Sequence, residues 1–320
     1  MNQHAMRVSV QGVQPHAHRT MASMVLVLAL VAFSIAPASA AAPKTYGSPE
    51  DAASALDAAW RSGSTSALIE IFGSAGDSLV RSGDRVAEQM ARERLAAVYE
   101  EAHHIDVESS GFAFLVLGKD DWPYPIPMVH DGTRWHFDAK AGEQQIINRR
   151  IGRNELGVLA FCQAFVEAQH DYAAAVPGSG GEYALRLTSS PGKRDGLYWQ
   201  PGTGEADSPL GPLIASADAE GYGWGREHAH EPYHGYFYKV LKEQGQAAPG
   251  GARRYIVDGK MTGGFALLAF PARYGSSGVM TFMVNQEGIV FEKNLGPQTS
   301  AIARRMTEFN PDKSWTVAKP

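Results

Sequence analysis

Cysteine is almost missing from this chain: Cys162 stands alone among 320 residues. No intrachain disulfide can form, and no metal site can be built on paired thiolates. Runs of lysine and arginine are also missing, and the formal net charge is −5. That balance excludes the basic stripe by which proteins hold nucleic acid or an anionic membrane. Neither glycine nor proline reaches a low-complexity share, and no internal repeat is present. Ser78, Ser82 and the other hydroxyls have no nucleophile-elbow or Ser-x-x-Lys setting, so no catalytic residue is assigned. Long apolar runs are absent as well. The longest, Met24 to Ala36, is about 13 residues, short of the roughly 18 that a membrane-crossing helix needs.

That short run is informative by its setting. Arg7 and Arg19 precede it and Pro37-Ala38-Ser39-Ala40 follows. A basic start, a short apolar run and an Ala-x-Ala ending make residues 1–40 a secretory signal peptide, cleaved near Ala40. The expected address is periplasmic or secreted, with no membrane span after cleavage. No cysteine follows the cut, so lipid anchoring has no support. Loss of Arg7 and Arg19, with no acid in that stretch, takes the formal charge to −7 over the remaining 280 residues. A chain of that length has room for two hydrophobic cores.

Residues 48–101 read as helical. Ser48-Pro49-Glu50-Asp51 supplies an N-cap, a proline at the first helical position and acids in the first turn. Ala52, Leu56, Ala59 and Trp60 then recur on one face. Ser64 or Thr65 starts a second helix through Leu68, Ile71 and Phe72, and Val86 to Tyr99 is a third. Strand-like runs follow at Gly111–Leu117 and Ile126–His130, and Asp131-Gly132 turns the chain into Thr133–Asp138. Residues 44–148 are therefore expected as an α+β domain of helices and a small curved sheet. The order of elements resembles the cone-shaped nuclear-transport-factor-like fold.

The polar stretch between Ile146 and Asn154 reads as an interdomain link, its Arg149, Arg150 and Arg153 pairing with acids of both domains. The competing reading is an anion site. Residues 154–320 form the second expected α+β domain. Leu156, Leu159, Phe161, Cys162, Phe165, Val166 and Gln169 recur at three and four, predicting a helix from Asn154, its N-cap, to Tyr172. After a loop-rich excursion from Pro191 to Pro232 come Tyr236–Leu241, Phe265–Phe270, Val279–Val284 and Ile289–Lys293. These runs predict an antiparallel meander, with Asn285 and Gly288 at the ends of a hairpin turn. The helix is expected to lie against those strands.

Three groups of residues suggest chemistry. His228, His230 and His234 are candidate metal ligands, because histidines at i and i+2 on a strand share a face. Pro232 interrupts that strand, and a polar loop entering Gly235–Leu241 is the simpler reading. Asp120 and Asp121 beside Trp122 and Tyr124 suggest a sugar cleft, but carboxylates adjacent on a turn diverge, so a rigid hairpin loop is expected. Cys162 falls in the apolar stripe of its helix and reads as a small buried hydrophobe. No cofactor is called for.

SSPGKRDGLYW, PYHGYFYKVL and GGFALLAFPARYGSSGVMTFMVNQEGIVFEKNLGPQT, with GKDDWPYPIP and DGTRWHFD upstream, resemble a bacterial family known as domain of unknown function 2950. The second half also resembles the globular heads of type IV pilins and pseudopilins, in which a helix lies on a meander. No prepilin cleavage motif or hydrophobic half-helix precedes Asn154, so the resemblance implies a borrowed fold and not a polymerising pilin. The expected role is an exported, non-enzymatic interaction or assembly module, its partner another envelope protein. The alternative is a small-molecule-binding or hydrolytic protein with a pocket in the first domain, near Trp122, Tyr124 and Trp135.

Overall fold

The computed structural model describes residues 41–175, 180–200, 202, 207–223 and 231–319. The chain enters through helix α1 (Pro49–Arg61), and Ser48 Oγ accepts from Asp51 N at 3.1 Å to cap it. Helix α2 (Thr65–Phe72) is capped the same way by Ser64, at 3.1 Å from Ala67 N. A single turn, α3 (Asp77–Val80), leads to α4 (Arg85–Glu101). Strands β1 (His103–Val107), β2 (Phe112–Leu117), β3 (Trp122–Pro123), β4 (Met128–His130) and β5 (Trp135–Phe137) then form one antiparallel sheet. Its order is β1-β2-β4-β5, with β3 on β2. On β2, Ala113, Leu115 and Leu117 alternate onto one face and are fully buried against Leu56, Trp60 and Phe72 of α1 and α2.

Helix α5 (Ala139–Ala175) corrects the sequence reading. It runs 37 residues without a break, roughly 55 Å at the usual rise, through the stretch taken as a link. Asn154 is inside the helix, where it caps nothing: its Nδ2 donates to Ser277 O at 2.9 Å. Arg150 is partly buried and donates to the carbonyls of Ser78 and Leu79 and to Ser276 Oγ, while Arg149 and Arg153 are exposed. The expected pairing of Arg150 with acids gives way to carbonyl contacts. Only Gly152 in this stretch is a poor helix former, so local preference does not oppose continuity. Arg150 and Asn154 are satisfied by distant segments of the chain, while Arg149 and Arg153 face solvent.

Beyond α6 (Gly211–Ala219) lies the meander: β6 (Tyr236–Leu241), then β7 (Glu243–Gln244), β8 (Arg253–Arg254), β9 (Ile256–Val257), β10 (Lys260–Met261), β11 (Ala266–Pro271), β12 (Met280–Asn285) and β13 (Phe291–Asn294). Helix α7 (Thr299–Arg305), β14 (Glu308–Phe309) and β15 (Thr316–Val317) end the chain. The larger sheet has the order β15-β13-β12-β11-β6, antiparallel throughout, with Ala266 between Leu241 and Asn285. Gly288, at φ 74°, closes the expected hairpin by donating to Asn285 O at 2.9 Å. Val158, Phe161, Cys162, Phe165 and Tyr172 of α5 pack into the core this sheet makes; Phe161 stacks on Tyr238 at 3.9 Å.

The α+β class therefore holds, with one hydrophobic cluster on each of the two five-stranded sheets. The described residues form one compact unit. Polar ties cross between the clusters. Arg273 Nη1 donates to Arg81 O at 2.8 Å and its Nη2 to Asp77 Oδ2 at 3.1 Å. Among the described residues no helix is long and apolar enough to cross a membrane.

Candidate functional site

The chain turns into α4 through Ser82-Gly83-Asp84, and that turn is over-determined. Asp84 Oδ1 caps the helix by accepting from Ala87 N at 3.0 Å. Glu88 Oε1 reaches back to Ser82 N, Ser82 Oγ and Gly83 N at 2.6, 3.0 and 3.1 Å, so the orphan donors ahead of the helix are satisfied by a carboxylate. The second Asp84 oxygen looks the other way. Oδ2 accepts from Tyr222 OH at 2.9 Å and from Gly235 N at 2.7 Å, with Asp84 only 1% exposed. One carboxylate thus fixes α4, the end of the 191–232 excursion and the entry to β6. Burial, then the nearby Asp84 charge, hold the Tyr222 phenol far above its ordinary range.

This junction frames a cleft of about 600 Å³ between the first turns of α4 and the segment after α6. Val86, Met90, Ala219 and Pro232 give it apolar lining. Among the described lining residues, Asp84, Glu93, Asp218, Glu220 and Glu231 give it five acids against one cation, Arg85, which lies 3.8 Å from Glu231. Beside it, His234 Nε2 lies 3.0 Å from Glu220 Oε2, with its ring against Tyr222 and Tyr233. His234 has a φ of 47°, a left-handed backbone uncommon outside glycine. Burial followed by the Glu220 charge pushes the Tyr233 phenol up to about 12.

Of the predicted metal ligands, His234 therefore sits against Glu220, and His228 and His230 lie outside the described residues. Among the described residues no group of three or more His, Cys, Asp or Glu side chains has the arrangement to hold a metal ion. The aromatic trio is only partly brought together. Tyr124 is buried in the first core, edge-on to Trp60 at 5.4 Å and to Trp122 at 6.3 Å. Trp135, half-buried on β5, lies against His130 at 4.9 Å. Asp120 and Asp121 are both exposed on the β2–β3 turn, with Asp121 at φ 50°. Ser78 Oγ donates to Glu143, so that hydroxyl is engaged in packing α3 on α5.

Cys162 lies where the apolar stripe put it, 1% exposed, and burial pushes its thiol up to about 12. The thiolate is the reactive form, so a thiol-specific reagent should modify the folded chain far more slowly than the urea-unfolded chain. Cys162→Ala should cost about 1 kcal/mol, the order expected for a small cavity. Rapid modification without denaturant would contradict the packing of this helix.

Asp84, Tyr222 and Gly235 were not singled out from sequence. An Asx residue directly before a helix, with a glutamate one turn on, was a readable capping signal. Nothing local marked the carboxylate's second set of partners. No curated protein and no solved structure matches the chain. Residues 43–318 match the family described as "Protein of unknown function (DUF2950)", and the chain belongs to that family.

Proposed function

We propose that this protein is an exported interaction module whose α4–α6 cleft takes a basic, extended segment of another envelope protein. The observation that carries this reading is the lining of the cleft: among the described residues, apolar side chains stand beside an excess of acids, with Arg85 the one cation. An extended peptide bearing lysine or arginine between apolar residues matches that surface in both charge and hydropathy. The cleft wall belongs to the 191–232 excursion, and the Asp84 network holds that wall in place, so the surface is preformed. The Met24–Ala40 pattern supports export, with cleavage near Ala40. The helix-on-meander arrangement of α5 and β6–β13 supports the likeness to pilin heads, and the two hydrophobic clusters support a division into two domains sharing one helix.

Photo-crosslinking in the cell tests the reading. A crosslinker in place of Met90 should yield an adduct in the envelope fraction, in which this chain begins at Ala41 or within a few residues. Reversal of Glu93 and Asp218 to lysine should abolish the adduct, because charge complementarity sets encounter and register. An adduct that survives the reversal, or a chain that keeps its first forty residues, overturns the reading.

A further inference from the structure

The first sheet is closed at one edge and open at the other. At β5, Tyr46 N donates to Trp135 O at 2.8 Å and Trp135 N to Tyr46 O at 3.0 Å, which covers that strand. Outside β1 no described strand pairs. Gly118 N donates to Ala102 O and Glu108 N to Phe112 O, both at 2.8 Å. With the register of β1 on β2, this makes His104 and Asp106 the positions bonded to β2. His103, Ile105 and Val107 therefore direct their backbone N–H and C=O groups outward. Natural edge strands are blunted by proline, lysine or a bulge, and His103–Val107 has none of these.

The side chains of this edge are self-complementary. Ile105 and Val107 share a face with buried Ala113 and Leu115, yet Val107 is 60% exposed. At the other end of that face, the His103 ring stacks on Tyr99 of α4 at 3.6 Å. On the opposite face His104 and Asp106 are exposed, with Nε2 and Oδ1 3.4 Å apart.

We propose that β1 is the docking edge for a second copy of this chain, the two strands pairing antiparallel about a twofold axis at Ile105. Ile105 then exchanges backbone hydrogen bonds with its own copy, and His103 with Val107 of the second copy. His104 faces Asp106 of the second copy, and the symmetry repeats the pair. These are non-hydrogen-bonded positions, where facing side chains come closest. Val107 comes to lie against the second copy's His103 ring, with Tyr99 behind it. A slip of two residues keeps the backbone bonds but sets His104 against His104 or Asp106 against Asp106 and loses both His–Asp contacts, so that pairing selects the register. An isologous contact of this kind closes as a dimer and does not propagate. It lies toward the opposite end of α4 from the acidic cleft, roughly 12 Å along the helix beyond Glu93, and leaves the cleft free.

Sedimentation velocity of the purified chain over a concentration series tests the proposal. The expected result is a reversible monomer–dimer equilibrium in the micromolar range, since a single strand pair is smaller than a standard interface. Ile105→Pro should leave a folded monomer, because its N–H points away from β2 and edge strands tolerate proline there. Val107→Lys repeats that arm without touching the β1–β2 bonds. His104→Asp should weaken association about tenfold by placing like charges opposite each other. The swap His104→Asp with Asp106→His should restore it, because Asp now faces His at both places. A chain that stays monomeric, a dimer indifferent to these changes, or a swap that fails to restore pairing overturns the proposal.

Discussion

Asp84→Ala is expected to lower the unfolding free energy by about 3–5 kcal/mol, from a lost helix cap and two buried donors left without an acceptor. The cap at Ala87 N accounts for roughly 1 kcal/mol of this. Tyr222 OH and the Gly235 N–H account for the larger share, because Asp84 is 1% exposed and no water replaces it at no cost. Asp84→Asn should lose about half as much: its one amide oxygen can still cap α4, while its NH2 faces another donor. Urea unfolding checks both, through a fall in midpoint at unchanged slope. Tyr222→Phe removes one of the two donors and should recover part of the Asp84→Ala loss when combined with it, a coupling that a double-mutant cycle reads directly. A loss below 1 kcal/mol for Asp84→Ala would mean that the cleft wall is held by packing alone.

This network also shows where sequence reading stops. The partners of Asp84 Oδ2 stand 138 and 151 residues away along the chain, so no window of periodicity contains them. The caps at Ser48 and Ser64 were legible because every partner lies within three residues. The meander was legible for a related reason. Short continuous apolar runs such as Phe265–Phe270 and Val279–Val284 read as buried strands, and Asn285 and Gly288 advertise a turn whose closing hydrogen bond is local.

Helix α5 was half legible. From Asn154 to Tyr172 its apolar stripe faces one core, and the spacing of Phe161, Cys162 and Phe165 revealed it. From Ala139 to Arg153 the helix meets loops as well as a core, so its inward positions include Arg150 and the stripe breaks. Polarity in a sequence shows that a side chain needs a partner but not whether water or a carbonyl supplies it. Trp122, Tyr124 and Trp135 illustrate the converse. Three aromatics close in sequence suggested one pocket mouth, whereas strand pairing sends Tyr124 into the core and leaves Trp135 beside His130. The acidic cleft gave no signal at all, because its two walls are separated by more than a hundred residues.

Arg150 is where the second large effect is expected. Its Nη1 donates to Ser78 O at 3.1 Å and to Ser276 Oγ at 3.2 Å, and its Nη2 to Leu79 O at 2.5 Å. Ser78 and Leu79 belong to the single turn α3, whose carbonyls have few helical partners of their own, so a cation at this end also meets the favourable side of the dipole. Against this stands desolvation. Burial lowers the Arg150 pKa more than any neighbouring charge raises it, so the site is costly for an ion. Hydrogen bonds to a charged group are worth about 1.5–3 kcal/mol each, and three of them outweigh a desolvation cost of several kcal/mol by a modest margin. Arg150→Met returns the desolvation cost but leaves two carbonyls buried with no donor, so a net loss of about 2–4 kcal/mol is expected. Arg150→Lys should fall between, because one ammonium cannot span α3 and the 273–279 loop as the planar fork does. Hydrogen exchange distinguishes this from a general weakening. Arg150→Met should speed exchange at residues 78–82 and 276–280 together, on either side of the junction, while the β11–β12 pair at Leu268 and Met283 keeps its protection relative to global unfolding. Faster exchange spread evenly over both sheets would mean that Arg150 supports the fold as a whole and not the seam between its two cores.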